Sequence, residues 1–196
     1  MILIINNGDK EQVPKLISYM KKSGHRYKVI DSIQDMESTK NVSGIILSGS
    51  PVMINGNNFL KDQEIFFKNI HALHKHSYVP VLGICFGSQF LNVLWGGKLD
   101  KLEKKLYGSY PVTFETKKLF DKPIPSSDHF HFSCRYIPRN LPCVFKPIAF
   151  VKAEGKDVPC IFRHRHLPIF GSLCHPEGLQ STHWFLDEFL KLCTRR

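Results

Sequence analysis

The chain has 196 residues, an ordinary globular composition with 42% hydrophobic residues, and a formal net charge of +10. This length predicts a single domain, residues 1–196, that can bury a sizeable core. No apolar run is long enough to cross a bilayer, and the N-terminal residues lack the basic region of a signal peptide. We therefore expect a soluble, cytoplasmic protein with no membrane contact.

The cysteines and the basic residues narrow the function classes. Six cysteines are present without a CxxC pair, which favours reduced thiols, and we expect neither a metal nor a cofactor. The basic residues are spread along the chain and are not interleaved with aromatic residues as in base-stacking surfaces. The charge therefore favours a solvated basic surface or an acidic partner over nucleic acid.

The first half of the chain alternates apolar strands with amphipathic helices. Strands are expected at residues 1–6, 27–31, 44–48 and 80–84, with a polar loop at 49–60. Apolar residues at helical spacing predict one helix from Val13 to a stop at Gly24, and another that starts at Asp62 and includes Phe66. This pattern is typical of a parallel sheet covered on both faces, whose ligands bind at the carboxyl ends of the strands.

The second half has a different character. Shorter strands with proline-rich turns are expected at residues 110–114, 145–152, 159–162 and 169–173, which suggests an antiparallel extension. The segment RHRH at 163–166 is interpreted as an exposed hairpin turn. Leu186, Phe189, Leu190 and Cys193 have the spacing of a final amphipathic helix.

The segment GICFGSQ, residues 83–89, places Cys85 between a predicted strand and a predicted helix at 86–94. Gly83 and Gly87 leave room for a sharp turn that exposes a nucleophile. The N-terminus of the helix favours a thiolate and offers N–H groups to an oxyanion. A buried structural cysteine in a tight turn explains these residues equally well.

Two other segments follow predicted strands. The segment HPE supplies His175 as a base for a thiol and Glu177 as a carboxylate to orient it. The segment LSGSP, residues 47–51, forms a turn whose N–H groups suit an oxyanion. Taken singly, HPE is only weak evidence for this chemistry, and LSGSP is better explained as an ordinary loop.

The order of SGSP, GICFGSQ and HPE along the chain resembles that of the class I glutamine amidotransferases. The resemblance covers nearly the whole chain and is closest to the glutaminase part of GMP synthetases, particularly its stand-alone subunit form. The segment LYGSYPV, residues 106–112, is similar to the E-Y-G segment of that group. The resemblance implies a three-layer, flavodoxin-like α/β fold with a mostly parallel central sheet.

The resemblance also implies roles for individual residues. Cys85, His175 and Glu177 would form a catalytic triad that hydrolyses the side-chain amide of glutamine through a thioester. The backbone N–H groups of Ser50 and Phe86 would form the oxyanion hole. Substrate binding would involve two further residues, Gly49 and Gln89. A separate synthetase is the expected partner, because the chain is expected to lack an ATP-pyrophosphatase domain.

Two departures keep a second function open. Ser50 stands where the family usually has a second glycine, and SSDHFHFS at 126–133 lacks the S-H-x-D pattern, although His129 or His131 could replace that histidine. Both departures favour a stand-alone γ-glutamyl hydrolase or peptidase with the same triad. A binding protein on a degenerate scaffold ranks below both enzymes, because all three triad residues are present.

Overall fold

The computed structural model describes residues 1–54, 62–120 and 122–194, so part of the loop predicted at 49–60 lies outside the described residues. The helices are α1 Gln12–Ser23, α2 Gln63–Lys75, α3 Phe86–Leu94 and α4 His183–Thr194. The strands are β1 Ile2–Ile5, β2 Tyr27–Ile30, β3 Gly44–Leu47, β4 Val81–Ile84, β5 Lys98–Phe114, β6 Lys118–Leu119, β7 Lys122–Pro123, β8 Ser127–Asn140, β9 Phe145–Ala153, β10 Lys156–His164 and β11 Ile169–Ser172.

A mixed sheet forms the centre of the fold. Within the described residues it has nine strands in the order β2-β1-β3-β4-β11-β10-β9-β5-β8. The first five are mutually parallel, and the remaining pairs are antiparallel. The order of the parallel half is that of flavodoxin-like sheets. This confirms the predicted parallel core with an antiparallel extension.

Helices cover both faces of the parallel half. Successive residues of β1 face opposite sides of the sheet and belong to different apolar clusters. Leu3 packs with α2 and α3, whereas Ile4 packs with α1 and α4. All four residues of β1, β3, β4 and β11 are buried, as expected for strands covered on both sides. The predicted three-layer arrangement is therefore confirmed. No helix in the described part of the chain is long and apolar enough to cross a membrane.

The predicted helix ends are largely correct. Gly24 follows α1 with a φ of 71°, the left-handed conformation that glycine adopts without strain. Asp62 occupies the position before α2, but its side chain makes no capping hydrogen bond.

The antiparallel extension is larger than the sequence patterns indicated. β5 covers 17 residues rather than the five predicted, and β8 was not predicted. Much of β5 is exposed on one side, so its lysine-rich start carries a weak apolar signal. In β8 the buried residues Phe130, Phe132 and Cys134 alternate with exposed or half-buried ones, a period of two that is typical of a strand.

The interpretation of residues 163–166 as an exposed hairpin turn is wrong for half of the segment. Arg163 and His164 belong to β10, and the ring of His164 is buried against Phe145. Its Nδ1 accepts hydrogen bonds from the backbone N–H groups of His166 and Leu167, 3.1 and 3.0 Å away. A histidine can therefore act as the buried acceptor that closes a strand-ending turn.

Two glycines bring α3 unusually close to the sheet. A Cβ on Gly83 would lie 2.5 Å from the backbone of Gly87, and a Cβ on Gly87 would lie 2.3 Å from the carbonyl oxygen of Leu47. Neither approach leaves room for a side chain. The glycines on both sides of Cys85 are therefore required by packing between β3, β4 and α3.

We expect Gly87→Ala to destabilise the fold, because its new methyl group meets backbone that cannot move independently of β3. Overpacking of this kind costs about 1–3 kcal/mol, which lowers the midpoint of thermal unfolding by roughly 2–12 °C at this chain length. The control is Val93→Ala on the same helix, where the side chain is 37% exposed. An unchanged midpoint for Gly87→Ala would contradict the packing argument.

Candidate active site

A cleft opens where the carboxyl ends of β1, β3 and β4 meet. Its volume is about 620 Å³, and Asp9, Ser50 and Cys85, which follow these three strands, line it together. Residues 133–136 of β8 and Lys105 of β5 form the opposite wall. The parallel sheet therefore gathers the predicted segments at one edge, and the antiparallel extension completes the enclosure.

Cys85 occupies a strained turn between β4 and α3. Its φ is 49°, a region that non-glycine residues rarely adopt. Two backbone hydrogen bonds fix the turn, since its N–H donates to Ser172 at 2.7 Å and its carbonyl accepts from the N–H of Gln89 at 3.0 Å. The sulfur lies 3.9 Å from the carbonyl oxygen of Ser133. This geometry presents the sulfur to the cleft at the N-terminus of α3, as a nucleophile turn does.

His175 and Glu177 form a buried pair just after β11. Nδ1 of His175 lies 2.8 Å from a carboxylate oxygen of Glu177, and the exposed fractions of the two residues are 0% and 5%. The backbone N–H of His175 donates to His131 on β8 at 2.8 Å. With Nδ1–H donating to the carboxylate, Nε2 is left to accept a proton from another group.

The charges around His175 favour its protonated form. Complete burial lowers the pKa of His175, but the Glu177 carboxylate and the Cys85 sulfur outweigh it and hold this pKa well above its usual range. Nε2 is buried and has no hydrogen-bond acceptor within normal geometry among the described residues. Cys85 is thus close enough to raise the pKa of the imidazole, although no hydrogen bond joins the two side chains; catalytic hydrogen bonds are often poorly aligned before substrate binds.

Gly49 brings the SGSP segment close to His175. A Cβ at this position would lie 2.6 Å from a carboxylate oxygen of Asp9 and 3.2 Å from Cε1 of His175. A side chain here would require the Asp9 carboxylate and the imidazole to shift. The φ of the neighbouring residue Ser50 is not positive, so serine adopts this conformation without the strain that would require glycine.

The predicted oxyanion donors lie on two elements next to the cleft. Phe86 is the first residue of α3, where backbone N–H groups have no partner within the helix. Ser50 lines the same cleft as Cys85, and its hydroxyl accepts from the N–H of Val52 at 3.1 Å. Within the described part of the chain, no hydrogen bond uses the N–H of Ser50 or of Phe86.

Gln89 is also in the cleft but is already engaged. Its side-chain amide donates to the carbonyl oxygen of Tyr136 at 2.8 Å, and the residue is 5% exposed. Gln89 therefore ties α3 to the β8 wall of the cleft.

His129 and His131, which could replace the histidine of the S-H-x-D pattern, both lie outside the cleft lining. His129 is exposed on β8, whereas His131 contacts His175 through its backbone and places its ring 6.0 Å from the imidazole. Neither lines the cleft. Burial lowers the pKa of His131, and the neighbouring charge of His175 lowers it further.

Sequence reasoning missed several charged residues of the cleft. Asp9, Lys10 and Glu11 lie on the α1 side, and Lys105 and Arg135 lie on the opposite wall. Asp9 lies in the turn after β1. It could have been found with the rule that pointed to Cys85, namely that ligands bind at the carboxyl ends of parallel strands. Lys105 and Arg135 could not have been found in this way, because their strands were predicted too short or not at all.

Comparisons with known proteins agree with this geometry. The family described as glutamine amidotransferase class-I matches residues 3–192, and the chain belongs to this family. A relative from Pyrococcus abyssi, named as a subunit of the glutamine-hydrolysing GMP synthase, is 30% identical over 98% of both chains. The protein of the same name from Methanococcus vannielii is 28% identical over 98% of this chain and 97% of its own.

A solved structure shows the same fold. The crystal structure of a protein from Thermoplasma acidophilum, described as a GMP synthase subunit, superposes with a TM-score of 0.80. The match covers 98% of this chain and 92% of that one at 20% sequence identity. The chain is thus a class I glutamine amidotransferase in both sequence and architecture.

Glu177→Gln should lower the pKa of His175, because burial then outweighs the remaining favourable charge. Free imidazole has a pKa of about 6.5, so the raised value in the fold adds stability that is complete below that pH. This contribution is lost as the pH rises through the folded-state value. The substitution should therefore destabilise the protein more at pH ~5.5 than at pH ~9.

The measurement is an NMR titration of the His175 ring with Cys85 intact, with thermal unfolding at both pH values. Glu188→Gln is the matched control, because Glu188 is a buried carboxylate that pairs with Lys122 and Lys191 instead. An unchanged His175 titration in Glu177→Gln would show that the carboxylate does not control the imidazole.

Proposed function

We propose that the chain is the glutaminase subunit of a GMP synthase-type amidotransferase, which hydrolyses glutamine to glutamate and ammonia for a separate synthetase. The observation that carries this proposal is the buried pair of His175 and Glu177 beside Cys85 at the base of an open cleft. The relatives named as GMP synthase subunits, which match this chain over nearly their whole length, support the same assignment.

The first half of the reaction forms a thioester. Nε2 of His175 takes the proton of the Cys85 thiol, and the sulfur attacks the side-chain carbonyl carbon of glutamine. The tetrahedral intermediate then collapses, its C–N bond breaks, and the imidazolium donates its proton to the leaving nitrogen, which departs as ammonia. Glu177 holds the imidazole in the required orientation and stabilises the imidazolium.

The second half hydrolyses the thioester. A water molecule gives a proton to Nε2 of His175 and attacks the acyl carbon. The C–S bond breaks, glutamate leaves, and the proton returns to the sulfur of Cys85. The enzyme is thereby restored, and one water has been consumed for each glutamine.

The backbone N–H groups of Ser50 and Phe86 stabilise the oxyanion in both halves. Support comes from their positions in the cleft wall and at the start of α3, and from the absence of other partners for these groups among the described residues. A single oxyanion donor contributes roughly 3–4 kcal/mol in measured cases.

The charges of the cleft suit an α-amino acid. Asp9 and Glu11, with Lys10 between them, give one wall two carboxylates that complement an ammonium group. Lys105 and Arg135 on the other wall complement a carboxylate. Gly49 supports binding by its close approach to the triad, and Gln89 by holding the wall at Tyr136. Glutamine carries both charged groups at the end away from its reacting amide.

We expect Cys85→Ala to reduce glutamate release from glutamine by at least ~10³-fold, because no other group replaces the nucleophile. His175→Ala should have a comparable effect, and Glu177→Gln a smaller one, because Glu177 acts through the imidazole. The assay measures glutamate from glutamine and from γ-glutamyl peptides, with and without the synthetase component of a GMP synthase whose two activities lie on separate chains. Cys143→Ala, an exposed cysteine, is the matched control.

The choice of substrate separates the proposed function from its alternative. The proposal predicts release from glutamine and a rise in activity when the synthetase component is added. Brisk release from γ-glutamyl peptides but not from glutamine would instead establish a stand-alone γ-glutamyl hydrolase. Two observations favour testing this alternative. Position 50 is a serine, and neither His129 nor His131 lines the cleft.

A further inference from the structure

A second cleft, of about 580 Å³, lies at the opposite edge of the sheet from Cys85. Pro168, which precedes β11, lines it, whereas Cys85 follows the end of the parallel strand β4. Strands β6, β9 and β10 and Leu192 of α4 complete its wall. We call it the basic cleft, and among the described residues it shares no lining residue with the active site.

Like charges face each other in the basic cleft. Lys146 of β9 and Arg163 of β10 are direct partners in the antiparallel ladder, so their side chains leave the same face of the sheet. Like charges in this position destabilise a sheet unless another group neutralises them. Both are exposed, and neither forms an ion pair with any described residue.

The surrounding residues strengthen the positive field. Lys118 of β6 and Arg165, which follows β10, line the same cleft, and Glu115 is the one acidic residue among the described lining residues. The guanidinium of Arg165 is oriented by a 2.7 Å hydrogen bond to the carbonyl oxygen of Cys143. Four permanent cations against one carboxylate form a site for an anion of more than one charge.

The floor of the cleft is apolar. Ile148, Phe120 and Phe170 line it, and the two phenyl rings lie 4.8 Å apart. Phe120 has a φ of 52°, so a strained backbone directs this side chain. The register shifts between Ile161 and Phe162, one pair before Lys146 and Arg163, and such bulges commonly re-aim side chains near functional sites.

We propose that the basic cleft binds a nucleoside phosphate. Its phosphates lie between Lys146 and Arg163, and its base lies over the apolar floor near Phe120. The volume falls within the range of small-molecule sites, and the combination of a cationic rim with an aromatic floor fits a ligand with an anionic end and a flat apolar body. This inference is independent of the proposed glutaminase reaction.

The test is calorimetric titration of the full chain with ATP and with tripolyphosphate, without a divalent cation, at about 0.15 M salt. The proposal predicts that ATP binds with a Kd below about 1 mM and that tripolyphosphate, which lacks the base, binds at least tenfold more weakly. The double variant Lys146→Gln/Arg163→Gln should weaken ATP binding at least tenfold. Lys21→Gln/Lys22→Gln, which removes the same charge from the exposed end of α1, should change it less than twofold.

A second variant tests the floor. Phe120→Ala should weaken ATP binding and leave tripolyphosphate binding unchanged. The proposal is overturned if ATP does not bind, if tripolyphosphate binds as tightly as ATP, or if the two double variants have equal effects. Glutamate release, measured on the same preparations, is a separate readout, so failure of nucleotide binding is distinguishable from failure of the glutaminase assignment.

Discussion

The active site depends on a carboxylate buried beside an imidazole. Glu177 is almost completely removed from solvent, and one of its oxygens has no hydrogen-bond partner among the described residues. A carboxylate in such a position is costly unless a positive charge lies next to it, and His175 at 2.8 Å is the group that supplies one. The Glu177 carboxylate therefore favours the imidazolium form of His175. The proposed proton transfer from a thiol would produce the same form.

This pair is held in place by both halves of the sheet. β11 belongs to the parallel half and delivers His175 beside the end of β4, where Cys85 lies. β8 belongs to the antiparallel half and accepts the backbone N–H of His175 through His131. The antiparallel extension therefore has two roles at this site. It accepts a hydrogen bond from the backbone of His175, and it forms the second wall of the cleft.

The sequence was most informative where packing constrains both faces of an element. The parallel strands, the helix at 86–94 and the glycines around Cys85 were predictable, because burial on both sides leaves only apolar or very small residues there. β5 and β8 were predicted poorly, because one side of each is largely exposed and tolerates charged residues. Lys105 and Arg135 of the cleft wall were missed for the same reason, and the ladder pairing of Lys146 with Arg163 is visible only once the register is known.

The measurement that tests the central claim most directly is acid-quench mass spectrometry during turnover of a γ-glutamyl aryl ester. Its good leaving group makes acylation fast, so the acyl-enzyme accumulates before hydrolysis. We predict a burst of the released phenol and a mass increase of one γ-glutamyl group on the peptide that contains Cys85. Turnover without a burst, or an acyl group on any other side chain, would contradict it.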